Sequence, residues 1–294
     1  MLMESIHDGV TRYDLARSIA GRGRYWTAAY LVDGLLIDSG CAHSAPDLIQ
    51  ALVGEPLARI VNTHSHEDHI GANGLLQWGR PGLEILAHAA ALPILADPRR
   101  TQPLQPYRRV FWGWPEPSVA RPVVDGTIIE TEHYRFRVIY TPGHSPDHLC
   151  LYEAERGWLF SGDLFVGGQD RALRAGYDIW EIIASLKRIA RFPAAWLFPG
   201  GARVRQRSAA EPLVPSSGIR RAAPGGAAAD LTAKIAYLEE LGERILDLHR
   251  QGQGVTAISR ALLGGPMWVE FVTLGQFSRR RLVLAYLGKN TQGE

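Results

Sequence analysis

Three histidines and two carboxylates, five residues with metal-binding side chains, fall within the six-residue run His64-Ser65-His66-Glu67-Asp68-His69. Neutral imidazole nitrogens and ionised carboxylate oxygens are the usual ligands of zinc and iron. The run follows Ala58-Arg59-Ile60-Val61, which reads as a strand, and precedes Gly71. In an extended segment His64 and His66, two apart, point to one side. Asp68 and His69 come after the chain has begun to turn, so they can serve a second position nearby. This spacing suits two adjacent metal positions better than one. A polar loop that merely happens to be rich in histidine is the alternative, and it leaves these ligand types at one strand end without a use.

Three further segments carry residues of the same kind. The alternating Arg135-Phe136-Arg137-Val138-Ile139-Tyr140 predicts a strand. It runs into Thr141-Pro142-Gly143-His144-Ser145-Pro146-Asp147-His148, where Pro142 and Gly143 turn the chain and present His144. Gly157-Trp158-Leu159-Phe160-Ser161-Gly162-Asp163-Leu164 reads as another strand ending in an aspartate. Tyr30 to Gly40 reads as two strands around the Asp33-Gly34 turn, the second ending in Asp38-Ser39-Gly40. Taken alone, Asp163 and Asp38 are ordinary turn residues.

His-x-His-x-Asp-His after a strand resembles the signature of the metallo-β-lactamase superfamily, in particular its glyoxalase II-like hydrolases. The resemblance implies a site drawn from all of these segments. His144 joins His64 and His66 on a first metal, Asp68 and His69 belong to a second, and Asp163 bridges the two. Asp38 supports the ligand loop from behind, and His148 does the same or serves packing. Carboxylates in such a place orient ligating histidines and raise their basicity. The family's last ligand, a histidine in Pro-Gly-His-Gly, has no counterpart: Pro199-Gly200-Gly201-Ala202 puts Gly201 in its place. The second metal should therefore be held less tightly. His43 is a poor substitute, being placed near the start of the helix after Gly40.

The implied cofactor is Zn2+, one ion or two, with iron or manganese as alternatives. The implied activity is hydrolysis of an ester, thioester or lactone of a small molecule by water that the metal activates. Asp68 would orient that water and later pass a proton to the leaving group. Neither Ser65 nor Ser145 has the separate base and orienting partner of a nucleophilic serine. Two other readings stay open. One is a phosphodiesterase or endoribonuclease acting on single-stranded RNA, which makes nucleic acid the less favoured partner. The other is a catalytically impaired metal- or ligand-binding protein, motivated by Gly201.

The implied fold is α/β, a four-layer αββα sandwich with a small C-terminal helical segment. Strands are expected near 11–15, 27–32, 35–38, 60–63, 83–87, 127–130, 134–140, 149–153, 158–161 and 196–198. Helices are expected at 45–53, 71–78 and 178–191, the last with an apolar stripe of Ile179, Ile182, Ile183, Leu186 and Ile189 and with Asp178 as its cap. The catalytic domain is placed at 1–202. Residues 203–229, rich in Arg, Ala, Ser, Pro and Gly, read as a flexible linker or loop. A helical segment fills 230–294, with helices from Asp230 to Gly252, over Val255–Leu263 and from Ser278 through Leu287. Arg279-Arg280-Arg281 reads as a solvated helix face. Tyr107-Arg108-Arg109-Val110-Phe111-Trp112-Gly113-Trp114 reads as a Pro-flanked loop, either a lip beside the site with Tyr107, Arg109 and Trp112 as candidates to face the substrate or a loop that packs its tryptophans against the core.

Composition agrees with this class. The 294 residues suffice for one large core, and a formal charge of +2 argues neither for nor against nucleic acid. Only three lysines occur, so arginine carries nearly all the positive charge. Cys41 and Cys150 each sit beside an apolar strand and imply no disulfide framework. No secretory signal is evident, and no apolar run reaches the eighteen residues of a membrane span. A cytoplasmic enzyme is expected, with no membrane partner and with its oligomeric state left open.

Overall fold

Alternation of apolar side chains builds two sheets with one core between them. The computed structural model describes residues 1–102, 105–207 and 226–289. The described chain divides into two compact units. The first comprises Met1–Tyr140, Pro146–Val166 and Trp196–Val204. Its first sheet contains β1 (Leu2–His7), β2 (Val10–Ile19), β3 (Arg22–Val32), β4 (Leu35–Ile37), β5 (Arg59–Val61), β6 (Glu84–His88) and β7 (Arg121–Val123), in that order across the sheet. β1 to β4 form an antiparallel meander, and β4, β5, β6 and β7 run parallel. The second sheet contains β8 (Ile128–Glu130), β9 (Arg135–Tyr140), β10 (Leu149–Glu153), β11 (Trp158–Gly162) and, after β12 (Leu173–Arg174), β13 (Trp196–Pro199). Within this unit its order is β13-β11-β10-β9-β8, with β11 and β13 parallel.

Side chains alternate between the two faces of a strand. Leu35, Ile37 and Val61 point into the core shared by the sheets, where they meet Phe136, Leu151, Trp158, Phe160 and Phe198. Leu36 and Ile60 point the other way, onto α1 (Ala45–Ala51) and α2 (Asn73–Gly79), through Leu48, Leu52, Ala72 and Leu76. Helix, sheet and sheet are therefore stacked in this unit. The parallel pairs matter for function. β4 and β5 end on one edge of the first sheet, and β11 and β13 end on one edge of the second. Thr63 joins these edges, its carbonyl accepting from the Leu149 amide at 2.8 Å.

The strand expectations hold to within a few residues, except that β2 and β3 extend into a long hairpin over 10–32 and that β1, β7 and three two-residue strands, at 173–174, 205–206 and 277–278, are additional. One correction bears on the site. The segment expected as a loop beside it is helical: α3 (Leu92–Ala96) and α4 (Pro98–Thr101) lead to α5 (Pro106–Phe111). Each starts with a proline at its first or second position, where the missing amide hydrogen costs nothing.

The second unit comprises Thr141–Ser145, Gly167–Ala195 and the described part of Arg205–Glu294. α6 (Ile179–Ile189) buries the predicted stripe, and the Asp178 carboxylate caps it by accepting from the Trp180 and Glu181 amides. After β14 (Arg205–Gln206) come α7 (Ala227–Arg250), α8 (Val255–Leu263), α9 (Trp268–Val272), β15 (Phe277–Ser278) and α10 (Arg279–Tyr286). The Tyr286 hydroxyl donates to the Leu238 carbonyl at 2.6 Å, fastening α10 to α7. Arg281 is buried, so the three arginines do not form one solvated face as expected. The expected linker at 203–229 lies for the most part, at 208–225, outside the described residues.

Phe160 is about as buried as a side chain can be, at 1% exposure between the sheets. Truncating it by Phe160→Ala should lower the unfolding free energy by about 3–5 kcal/mol. Chemical denaturation of the metal-free protein measures this directly.

Candidate metal centre

Asp38 organises the ligand loop. It ends β4 in the left-handed region, with φ of 60°, a conformation that aspartate tolerates better than most side chains. Its carboxylate is 2% exposed and accepts three hydrogen bonds. Oδ1 takes the Thr63 amide at 2.7 Å, and Oδ2 takes the Thr63 hydroxyl at 2.7 Å and His69 Nδ1 at 2.8 Å. With its Nδ1 proton given to Asp38, His69 turns its Nε2 to the opposite side.

That nitrogen is buried and has no hydrogen-bond partner. Asp163 Oδ2 lies 3.4 Å from it and Asp68 Oδ2 lies 3.9 Å from it. His64, His69 and Asp163 each offer one ligand atom within 4.8 Å of the others. His64 Nε2 stands 2.9 Å from His66 Nδ1, two ring nitrogens facing one another. A buried imidazole nitrogen beside carboxylates, with further imidazoles that face inward, fits a divalent cation in donor type and burial.

The electrostatics point the same way. Burial works to lower the pKa of His69, but Asp163, Asp38 and Asp68 together raise it well above the usual imidazole value. Burial raises Asp68 to about 6; His69 opposes this, while Glu67 and Asp163 add to it. His148, wholly buried, is lowered to about 4, chiefly by desolvation, so it is a neutral imidazole at physiological pH.

Glycines let the strand ends come this close. Gly162, before Asp163, has φ of 47°, and a Cβ there would lie 2.8 Å from both His148 Nε2 and Thr63 Oγ1. A Cβ on Gly200 would lie 2.3 Å from Asp163 Oδ1 and 3.0 Å from the His69 ring. Gly201 differs: its Cβ would meet only the Trp26 carbonyl, at 3.3 Å. A Cβ there needs only a few tenths of an ångström of give from that carbonyl, far less than at Gly200.

Several supports had no signature in the sequence reading. Asp147 accepts the Ser65 amide at 2.8 Å, so the motif that carries His144 and His148 also holds the loop carrying His64 and His66. The His69 carbonyl accepts from the Ser39 amide at 2.8 Å and from Asn62 Nδ2 at 3.3 Å, and Asn73 links Ser39 to Asn62. Glu67 is fully buried and receives both ends of the buried Arg108 guanidinium from α5. Such bidentate pairs combine charge with fixed geometry. The Thr27 hydroxyl donates to Asp68 Oδ2 at 3.4 Å.

Among the other candidates, Trp112 packs edge-on to Tyr25, Phe111 and Tyr107, an aromatic cluster that joins the β2–β3 hairpin to α5. Arg109 stands over Trp114. His43 binds the Arg109 carbonyl through Nε2, which sets it among the residues of α5. His144 belongs to the second unit, where its Nε2 is 3.4 Å from the Tyr177 hydroxyl and its loop accepts the Asp178 amide at the start of α6.

Comparison with known proteins defines the class. The model of the metallo-beta-lactamase superfamily matches residues 27–201, more than half of the chain. The chain belongs to that superfamily. It is 30% identical over 170 residues to an atrochrysone carboxyl ACP thioesterase of Aspergillus fumigatus, covering 56% of this chain and 46% of the relative. It is 30% identical over 165 residues to a hydroxyacylglutathione hydrolase of Rhodospirillum rubrum, covering 53% and 55%. The chain thus spans about half the length of these relatives. A metallo-beta-lactamase family protein from Thermus thermophilus shares the fold, with a TM-score of 0.62 at 20% identity over 96% of this chain and 93% of that one.

Two outcomes follow from the geometry. Gly200→Ala should displace Asp163 and cut the metal content of the purified protein, whereas Gly201→Ala should leave it unchanged; elemental analysis reads both. The second concerns pH. An aspartate whose folded-state pKa is raised disfavours folding once it ionises, so Asp68 costs stability increasingly as pH rises from its unfolded value near 4 through about 6. In metal-free protein, Asp68→Asn should therefore gain stability relative to the parent across that window, seen as a growing difference in Tm.

Proposed function

We propose that this protein is a metal-dependent hydrolase of small-molecule thioesters. The observation that carries the proposal is His69: one nitrogen is fixed by Asp38, and the other is buried, without a hydrogen-bond partner, and aimed between Asp163 and Asp68. The kinship with a thioesterase and with a hydrolase of an acylated glutathione, itself a thioester, supports the choice of bond. Esters and lactones, whose carbonyl carbons are attacked in the same way, are the neighbouring substrates.

By the resemblance, His64, His66, His144, Asp68, His69 and Asp163 would hold one or two ions, and zinc would suit this mixture of imidazole and carboxylate. When bound, the metal polarises the scissile carbonyl and makes water reactive near neutral pH. The chain's own groups do the rest. Asp38 keeps His69 in the tautomer that leaves Nε2 free. Asp163 and Asp68 set the negative charge that retains the cation. Asp68 takes a proton from the attacking water at its carboxylate, where Thr27 donates to Oδ2, and returns it to the departing sulfur. With Gly201 in place of the last histidine, a second ion would be held by fewer side chains and would exchange more readily. Cys41 and Cys150 are both buried and neither forms a disulfide, in keeping with a cytoplasmic setting. No helix among the described residues is long and apolar enough to cross a membrane.

The purified protein should hold at least one equivalent of zinc, iron or manganese and should hydrolyse acylated thiols faster than phosphodiesters. Chelation or His66→Ala should lower the rate by at least about a hundredfold. Gly201→His should raise occupancy of the second position. A metal-free isolate without turnover on thioester, ester and lactone panels would overturn the proposal; cleavage of single-stranded RNA alone would replace it with the nuclease reading.

A further inference from the structure

We infer that the cleft beside α5 binds the anionic end of the substrate's thiol half. This rests on the thioesterase reading above and adds the part of the substrate that the metal centre does not touch. The cleft has a volume of about 590 Å³ and is lined by Arg17, His43, Arg99, Arg109, Gly113 and Trp114, among others. It lies wholly within the first unit.

Its charge is one-sided. The Arg17 guanidinium meets a neutral group, the Val110 carbonyl, and that of Arg109 lies 6.0 Å from the centre of the Trp114 ring. Neither has a carboxylate partner among the described residues. Arg99 has one, Glu116, at 3.4 Å and exposed to water, where such a pair is weak. His43 donates from Nε2 to the Arg109 carbonyl, which fixes its ring beside the cleft. Two uncompensated guanidinium groups on one concave wall select a carboxylate or a phosphate, and the faces of Trp114 and Val110 accept the apolar chain attached to it.

The link to the reacting centre is α5. Its Arg108 is buried against Glu67 in the ligand loop, and the next residue, Arg109, faces the cleft. A single turn of helix therefore ties the two places together. An anion held by Arg109 is held by an element that the ligand loop positions.

The experiment compares thioesters that share one acyl group but differ in the thiol: glutathione, with carboxylates; phosphopantetheine, with a phosphate; and N-acetylcysteamine, with no charge. The variant is Arg17→Met with Arg109→Met, which keeps the apolar stems. For the two charged thiols KM should rise about tenfold with kcat little changed, as expected for two partly exposed charges. For N-acetylcysteamine neither constant should move. Equal effects on all three, or none on any, would overturn the inference. Calorimetry with S-methylglutathione, with phosphopantetheine and with inorganic phosphate provides a readout that does not depend on turnover. The parent should bind at least one of the organic anions, and the variant about tenfold more weakly. Binding of inorganic phosphate alone would mark a site for a free anion and overturn the assignment to substrate. Anion binding that the double variant weakens, together with absent hydrolysis, would preserve the cleft and remove the thioesterase reading instead.

Discussion

Everything at the metal centre depends on a buried carboxylate at the end of β4. Asp38 ties together two neighbouring parallel strands, its own and β5, by accepting from both the amide and the hydroxyl of Thr63. The same carboxylate then fixes the ring of His69. Burial of an ionised group without partners is expensive, so the site is stable only because every donor is in place. The left-handed backbone at Asp38 is a small conformational cost that the three hydrogen bonds offset.

The second constraint is approach distance. Gly162 and Gly200 end the parallel strands β11 and β13, and each has a neighbour closer to its missing Cβ than a real Cβ allows. Their lack of side chains lets Asp163 stand between His69 and Gly200. Gly201, next in the chain, has no such crowding. The two glycines of this pair thus differ in physical role: a side chain at Gly200 would collide with Asp163, while one at Gly201 would press only on the Trp26 carbonyl. From the sequence the pair Gly200-Gly201 reads only as a loss.

The histidine- and carboxylate-rich loop stands out in the sequence because candidate ligands are specific residue types at short spacing, and the strands around it were legible because burial on two faces imposes a period of two. The helices between β6 and β7 were not. α3, α4 and α5 are each a turn or so long, too short to show a helical period, and each carries a proline in its first turn. Arg108 and Glu67 illustrate the consequence. Each looks like a surface charge in the sequence, and they become a buried bidentate pair only because α5 packs against the ligand loop.

The sequence by itself determined the chemistry available: imidazoles and carboxylates in the order and spacing of one superfamily, two thiols without a disulfide pattern, and a missing final histidine. The tertiary structure alone decided which nitrogen of His69 is free, which glycine is crowded, and which arginines are neutralised and which face open space. Residue type sets what a group can donate or accept. Partners distant along the chain, such as Asp38 for His69, Asp147 for Ser65 and Glu67 for Arg108, decide whether it does, and a linear pattern carries no record of those pairings.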